Sequence, residues 1–193
     1  MNDTSIKDIP VIHPEIWRRS QEIGFNMPSD IYTGSLLKTL IASKPNGKFL
    51  EMGTGTGLAL SWMVDGMDRH SKLITVDNDP GLIGIAQEYF NGDPRLEFVC
   101  TDGNAWIGDY KGSPFDLVFA DAWPGKYSLL EKMLELVKIG GFYVIDDMAE
   151  QPNWPTGHGN NVAELISYLE FREDFCITKM NWSTGVILAT RKF

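Results

Sequence analysis

Five apolar runs of strand length punctuate the chain: KFLEM (48–52), KLITV (72–76), LEFVC (96–100), FDLVFA (115–120) and FYVID (142–146). Most are apolar throughout and do not alternate with polar residues. Successive side chains of a strand point to opposite sides, so a strand with one wet face alternates. An unbroken apolar run belongs to a strand buried on both faces, as in a parallel sheet covered by helices. The segments between the runs, 57–66, 80–90, 103–109 and 126–138, have the pattern of those helices. The last, KYSLLEKMLELVK, repeats leucine and methionine every three or four residues and ends on a cation. Gly140-Gly141 beyond it predicts a helix stop. Strand and helix in alternation predict a doubly wound α/β sheet with helices on both faces.

The C-terminal part breaks this rhythm. After a helix around 161–171, FCITKMNW (175–182) and GVILATRKF (185–193) are separated only by Ser183-Thr184. A parallel crossover needs a dozen or more residues, so these two strands pair as an antiparallel hairpin. The expected sheet has seven strands, mostly parallel, and is finished by one reversed strand. Upstream, 14–44 has helical periodicity interrupted between Gly24 and Pro28, which predicts one or two helices over an edge or end of the sheet. The loop QPNWPTGHGNN (151–161) separates the fifth strand from the last helix. The whole reads as one domain over 1–193, with a helical cap of 1–46 and a core of 47–193.

The 193 residues suffice for one full-sized core. With 43% apolar and 22% charged residues the chain lies outside the disordered class. A formal net charge of −9 argues against a nucleic-acid partner, which calls for a basic face. Cys100 and Cys176 lie in apolar runs, far apart and in no metal spacing, and read as buried free thiols. The start, MNDTSIKDIP, lacks a basic segment and an apolar core, so no secretory signal is expected. No apolar run approaches the ~20 residues that span a bilayer, so no membrane partner is expected and the cytoplasm is the default compartment.

The stretch FLEMGTGTGLALSW (49–62) carries the strongest local signal. Gly53, Gly55 and Gly57 follow the first strand and precede a helix. Glycine accepts backbone angles forbidden to other residues and lets the chain touch a ligand. The helix N-terminus that follows offers free N–H groups and partial positive charge. The spacing departs from the G-x-G-x-x-G of dinucleotide-binding oxidoreductases. Asp77, ending the second strand about 20 residues on, has the place of an acid that grips a ribose. Asp79-Pro80 has the form of a helix cap and leaves Asp77 free. Asp102, ending the third strand in CTDGNAW, has two readings, a contact to an adenine amino group or a helix cap.

These features together resemble the class I S-adenosylmethionine-dependent methyltransferases, over nearly the whole chain. Within that group the chain is most similar to small-molecule O-methyltransferases of the catechol and caffeoyl-CoA type. MPSDIYTGSLLKTL (27–40) resembles their entry helix, FLEMGTGTG their first motif, FDLVFADAWPGKY (115–127) their fourth-strand motif and GGFYVIDDM (140–148) their fifth-strand motif. The resemblance implies a Rossmann-like fold, S-adenosylmethionine as cofactor, a small hydroxyl-bearing acceptor and often a homodimer. It implies cofactor contacts from Glu51, Gly53, Thr54, Gly55, Gly57, Asp77, Asn78, Asp102, Gly103, Asp121 and Trp123, the tryptophan packing on the adenine. It further implies a divalent cation such as Mg²⁺ on Asp121, Asp146 and Asp147, hard oxygen ligands that would acidify the acceptor hydroxyl.

Two departures leave that last expectation open. The third ligand position is Asp147, where the family has asparagine. The family's catalytic lysine falls three residues after the fourth-strand aspartate; here the lysine is Lys126, five residues after Asp121, and a surface position at a helix start is an equal reading. His158 in the 151–161 loop is a substitute base or metal ligand, and a metal-free enzyme stands beside a metal-dependent one. Tyr32, Tyr127, Trp154 and Trp182 have the character of an acceptor pocket's walls or of ordinary core. The run GFNMPSDIYTG (24–34) has the form of a lid over the cofactor. A nicotinamide-dependent oxidoreductase and a non-catalytic S-adenosylmethionine-binding protein remain as alternatives.

Overall fold

The computed structural model describes residues 2, 5–151 and 154–193. Met1, Asp3, Thr4, Pro152 and Asn153 lie outside the described residues, the last two within the expected 151–161 loop. Two helices, α1 (His13–Glu22) and α2 (Ile31–Ala42), precede the sheet. Then follow β1 (Lys48–Met52), α3 (Leu58–Gly66), β2 (Lys72–Asp77), α4 (Pro80–Phe90), β3 (Leu96–Cys100), α5 (Gly103–Asp109) and β4 (Phe115–Ala120). The chain finishes with α6 (Leu130–Glu135), β5 (Val137–Ile145), α7 (His158–Glu170), β6 (Phe175–Met180) and β7 (Val186–Arg191).

The seven strands lie in the order β3-β2-β1-β4-β5-β7-β6. The first five run parallel, and β7 pairs antiparallel with both β5 and β6. The expected topology is therefore observed, including the reversed strand. Its cause is visible in the side chains of the central strands. Phe49, Leu117 and Phe119 enter one buried cluster with Ile16, Leu37, Leu58 and Met63 of the helices on that face. Their immediate neighbours Leu50, Val118 and Ala120 enter the other, with Ile107, Met133 and Leu165. Consecutive residues bury on opposite faces, which only a sheet covered on both sides permits.

Three expectations need correction. Cys100 and Cys176 are exposed free thiols. They sit on β3 and β6, the two edge strands, where an apolar run need not be covered on both sides. The helix expected over 126–138 is only α6. Gly125 and Leu129 take left-handed backbone angles, φ +84° and +52°, which a continuing helix cannot contain. Gly140-Gly141 does not stop a helix but lies inside β5, where the register against β4 jumps from Phe115↔Val137 to Leu117↔Phe142. A Cβ on Gly141 would stand 2.8 Å from the Lys138 carbonyl oxygen, so this bulge tolerates no side chain there.

Candidate functional site

The carboxyl ends of β1, β2, β3 and β4 open onto one cleft of about 440 Å³. That is the place where open α/β sheets bind ligands, and the size of a small-molecule site. Gly53, Thr54, Gly55, Asp77, Asn78, Asp102, Gly103, Asp121, Trp123 and Asp147 all line it.

The turn after β1 is built from backbone. Gly53, Gly55 and Gly57 have φ of +101°, +51° and +93°. A Cβ on Gly53 would stand 2.7 Å from the Asp121 carbonyl oxygen, so the end of β4 packs directly on the turn. A Cβ on Gly55 would press the Phe25 ring at 3.1 Å. Gly57 does not line the cleft; a side chain there would meet Ala86 and Phe90 of α4, so its role is close helix packing. Asp77 ties the turn down, its Oδ2 accepting from the Gly55 N–H at 2.9 Å and its Oδ1 from the Asp79 N–H at 3.0 Å. Asp79 caps α4 as expected, accepting from the N–H groups of Gly81 and Leu82. Asp102 caps α5 through the Ala105 N–H at 2.9 Å and at the same time lines the cleft.

Glu51 lies beneath the turn and is fully buried. Thr54 and Thr75 hydroxyls stand 2.6 Å apart, and Thr75 donates to Glu51 Oε2 at 2.5 Å. Burial, with the Asp77 charge adding to it, pushes the Glu51 carboxyl up to about 8. From the segment expected to form a lid, Phe25, Met27 and Ser29 line the cleft, and the Ser29 hydroxyl donates to Asp121 Oδ2 at 3.0 Å.

Beyond β4 and β5 the site changes character. Asp121 and Asp147 face the cleft, while Asp146 is buried behind them. Burial raises the Asp121 carboxyl well above the usual carboxylate range, and the charges of Asp146 and Asp147 raise it further. Lys126 and the Ser29 hydroxyl pull the other way. Asp146 is likewise raised, chiefly by burial, although its Oδ1 accepts from Thr184 Oγ1 at 2.6 Å and from the Asp147 N–H at 2.8 Å. Asp147 itself takes φ +58°, a strained angle for a residue with a side chain.

Lys126 is no surface residue: it is 4% exposed, and its Nζ donates to the Asp146 carbonyl oxygen at 2.5 Å. Burial lowers its pKa against the upward pull of Asp121, Asp147 and Asp146. His158 is not in a loop but opens α7, and it is buried. Trp123, Tyr127 and Trp154 surround its ring with centroids at 5.4, 5.3 and 4.5 Å. Its Nε2 lies 3.3 Å from the Tyr127 hydroxyl, and burial lowers its pKa. Of the expected catalytic residues Asp121 lines the cleft, and Lys126 and His158 do not. Of the aromatic residues singled out, only Trp123 lines the cleft, at its half-open rim. Tyr32 packs against Trp182 with centroids 6.0 Å apart, away from the cleft wall. Ser29, Thr75 and Thr184 carry no sequence signal that distinguishes them from other hydroxyl residues.

The donors do not fit the divalent cation that the resemblance implies. Among the described residues no three His, Cys, Asp or Glu side chains converge to hold a metal ion. Asp146 already spends its Oδ1 on two donors, and the buried Lys126 Nζ is bonded to its backbone carbonyl oxygen. The cradle for a nucleoside cofactor fits better: strand-end glycines, then Asp77 and Asp102 along one wall.

A family model described as O-methyltransferase matches residues 4–176. A protein of Mycobacterium leprae that bears an O-methyltransferase name is 30% identical over 110 residues, 55% of this chain and 49% of the relative. A Mycobacterium bovis protein of like name is 29% identical over 118 residues, 58% of this chain and 52% of its own length. The chain spans about half the length of the curated relatives it matches. Among solved structures, the O-methyltransferase TomG of Streptomyces achromogenes, in complex with S-adenosylmethionine, superposes with a TM-score of 0.82 at 20% identity, covering 95% of this chain and 90% of that one. An O-methyltransferase of Bacillus cereus in complex with S-adenosylhomocysteine superposes with a TM-score of 0.83 at 18% identity, covering 98% and 94%. At these identities the two structures establish a shared fold. Among the described residues no helix is long and apolar enough to cross a membrane.

Proposed function

The chain belongs to the O-methyltransferase family, and we propose that it transfers a methyl group from S-adenosylmethionine to a hydroxyl oxygen of a small-molecule acceptor. One observation carries this reading: the glycine turn, Asp77, Asp102 and Asp121 come from four separate strand ends and line a single cleft. In this reading the N–H groups of the turn and of the following helix hold the amino-acid end of the cofactor. Asp77 accepts from the ribose hydroxyls with the lone pairs its backbone bonds leave free. Asp102 and Asn78 face the nucleoside, and Trp123 offers its exposed ring to the adenine. S-adenosylmethionine, when bound, supplies the electrophilic methyl group on its sulfonium.

The chain's own part in the chemistry is to orient an acceptor and take its proton. Asp121 receives that proton on a carboxylate oxygen. A raised proton affinity suits a carboxylate to this work near neutral pH. The Ser29 hydroxyl on Oδ2 fixes the carboxylate plane and lets the lid sense the site. Asp147 sits across from it as a second acceptor of hydrogen bonds. Positioning of this kind, not covalent participation, is the main source of rate in a displacement reaction. The segment before β1 roofs the cleft, and the acceptor enters past Met27 and Trp123.

Titration calorimetry with S-adenosylmethionine and, separately, with NAD tests the cofactor. Binding of the first and not the second is expected. The reverse result would restore the oxidoreductase alternative. Appearance of S-adenosylhomocysteine with a panel of phenolic and aliphatic hydroxyl acceptors tests the reaction, and tight cofactor binding with no turnover on any acceptor would return the non-catalytic alternative.

A further inference from the structure

We propose that Glu51, Thr75 and Thr54 form a reversible relay beneath the glycine turn: a proton on Glu51 points the Thr54 hydroxyl out toward the carboxylate of the bound cofactor, and loss of that proton points it back into the protein. For its ligand the inference rests on the S-adenosylmethionine reading.

The relay is a product of register. Glu51 on β1 stands opposite Thr75 on β2. Its side chain shares the sheet face of Phe49, two residues earlier, because alternate residues of a strand point the same way. Thr54 follows in the turn. The Gly53 N–H donates to the Val76 carbonyl oxygen, and the Gly57 N–H to the Thr54 carbonyl oxygen, both at 2.9 Å. Three side-chain oxygens then stand in a row. Glu51 Oε2 lies 2.5 Å from Thr75 Oγ1, and Thr75 Oγ1 lies 2.6 Å from Thr54 Oγ1. Glu51 and Thr75 are fully buried, and Thr54, 3% exposed, is the member that lines the cleft.

Each threonine has one hydroxyl hydrogen, so the row points one way or the other. With Glu51 ionised, Thr75 donates to Oε2 and Thr54 donates to Thr75, which leaves Thr54 only lone pairs for the cleft. With a proton on Oε2, Glu51 donates to Thr75 and Thr75 donates to Thr54. The Thr54 hydrogen is then free. Among the described residues Thr54 Oγ1 has no other partner, so a ligand or solvent must accept that hydrogen. The carboxylate of the cofactor's amino-acid end is such an acceptor, and hydrogen bonds to ionised groups are the strong ones.

The surroundings favour the proton. Glu51 Oε1 is buried without a hydrogen-bond partner. That is costly for a charged oxygen and less so for the carbonyl oxygen of a neutral acid. Among the described residues the charge that acts on Glu51 is that of Asp77 at the end of β2, an anion. On the other side β4 sets Phe119 opposite it. The helices over this face, α1 to α4, keep Glu15, Arg18, Arg19, Glu22, Lys38, Asp65 and Glu88 exposed or half-buried. Their buried titratable group, His13, packs on Trp62 and is held neutral by burial. Glu51 accordingly keeps its proton up to about pH 8. The outward hydroxyl is present below that pH and lost above it. Glu51 is thus a positioning residue, acting on the cofactor through Thr54.

The test titrates S-adenosylhomocysteine, which has the same amino-acid end, into the protein by calorimetry at about pH 6.5 and about pH 9.5, either side of the turnover. Relative to Glu51→Gln, which has no proton to lose, wild type should bind about tenfold more weakly at the higher pH, the scale of one hydrogen bond to a charged group. The ligand's own amino group titrates alike in both proteins, so their ratio isolates Glu51. Thr75→Val cuts the row in its middle and leaves Glu51 able to titrate. It should lose the pH difference, which a charge acting through space would keep. Thr54→Val removes the outward hydroxyl and should lose the difference too, binding weakly at both pH values. A difference that survives in either threonine variant overturns the proposal, and so does a flat ratio of wild type to Glu51→Gln. If one threonine variant does not fold the other decides, and if neither folds the ratio decides alone. No binding to wild type or Glu51→Gln at the lower pH sinks the cofactor reading and the relay with it, whereas binding with a flat ratio sinks the relay alone.

Discussion

The two halves of the cleft use the same residue type in opposite ways. In the half formed by β1, β2 and β3, the carboxylates of Asp77, Asp79 and Asp102 all accept hydrogen bonds from backbone N–H groups of turns and helix starts close to them in space. In the half formed by β4 and β5, Asp121 and Asp146 are held above the usual carboxylate range, chiefly by burial and then by neighbouring carboxylate charge. Backbone N–H groups pointed at a carboxylate hold it in place. Carboxylates crowded in a water-poor space are harder to ionise and hold a proton more readily. The first arrangement suits holding a ligand, the second suits moving a proton.

The largest effect should come from the second half. Asp121→Asn is expected to lower kcat by roughly 10²–10⁴-fold, the range for loss of a positioned acid or base. S-adenosylmethionine affinity, by calorimetry, should be little changed. If affinity falls as far as turnover, the two halves are not separable and the division of labour between them fails.

Glu51 is the exception within the first half, because it sits beneath the glycine turn without backbone donors on its carboxylate. Its folded-state pKa of about 8 lies above the ordinary 4.5. The fold therefore favours the protonated acid. That contribution to stability is fully present below about pH 4.5 and is lost as pH rises through about 8. Glu51→Gln mimics the protonated form and can still accept from Thr75. It should be more stable than wild type at about pH 8.5 by on the order of 3 kcal/mol, and the gap should close toward pH 4.5. Urea denaturation across that range measures it. Parallel pH curves for the two proteins would mean that the carboxylate stays ionised and finds compensation after all.

The smallest of these effects belongs to the backbone-built wall. Asp77→Ala should weaken S-adenosylmethionine binding by roughly 1–3 kcal/mol, the scale of hydrogen bonds to an ionised group, with turnover at saturation largely kept. Unchanged affinity would leave Asp77 as a brace for the Gly55 N–H alone and would remove the ribose contact.

Which parts of the site were readable in advance follows the same division. Gly53, Gly55, Asp77 and Asp79 act through neighbours near in sequence or at the tip of the adjacent strand, so their spacing announces them. The surface placement of Lys126 and the loop placement of His158 needed correction because their surroundings depend on where a turn aims them. In the sequence KYSLLEKMLELVK the helical period continues back to Lys126, but Gly125 and Leu129 break the helix and turn the lysine inward. His158 stands among glycines and asparagines, which read as loop, yet it opens α7 inside a ring of aromatic side chains. The cysteines misled for the reverse reason: an apolar run shows that a strand exists and not that it lies in the middle of the sheet.

The order of residues alone was enough for the alternation of strand and helix, the parallel sheet with its reversed hairpin, and the glycine turn with its acid. Each of these is a local or periodic property, written in which residues can be buried and which backbone angles they accept. Which carboxylates are buried, and that Lys126 turns inward onto the Asp146 carbonyl oxygen, emerged only with the folded chain. Electrostatic environment depends on distances between β4, β5 and the turn after Asp121, and no spacing along the chain encodes those distances until the strands are side by side.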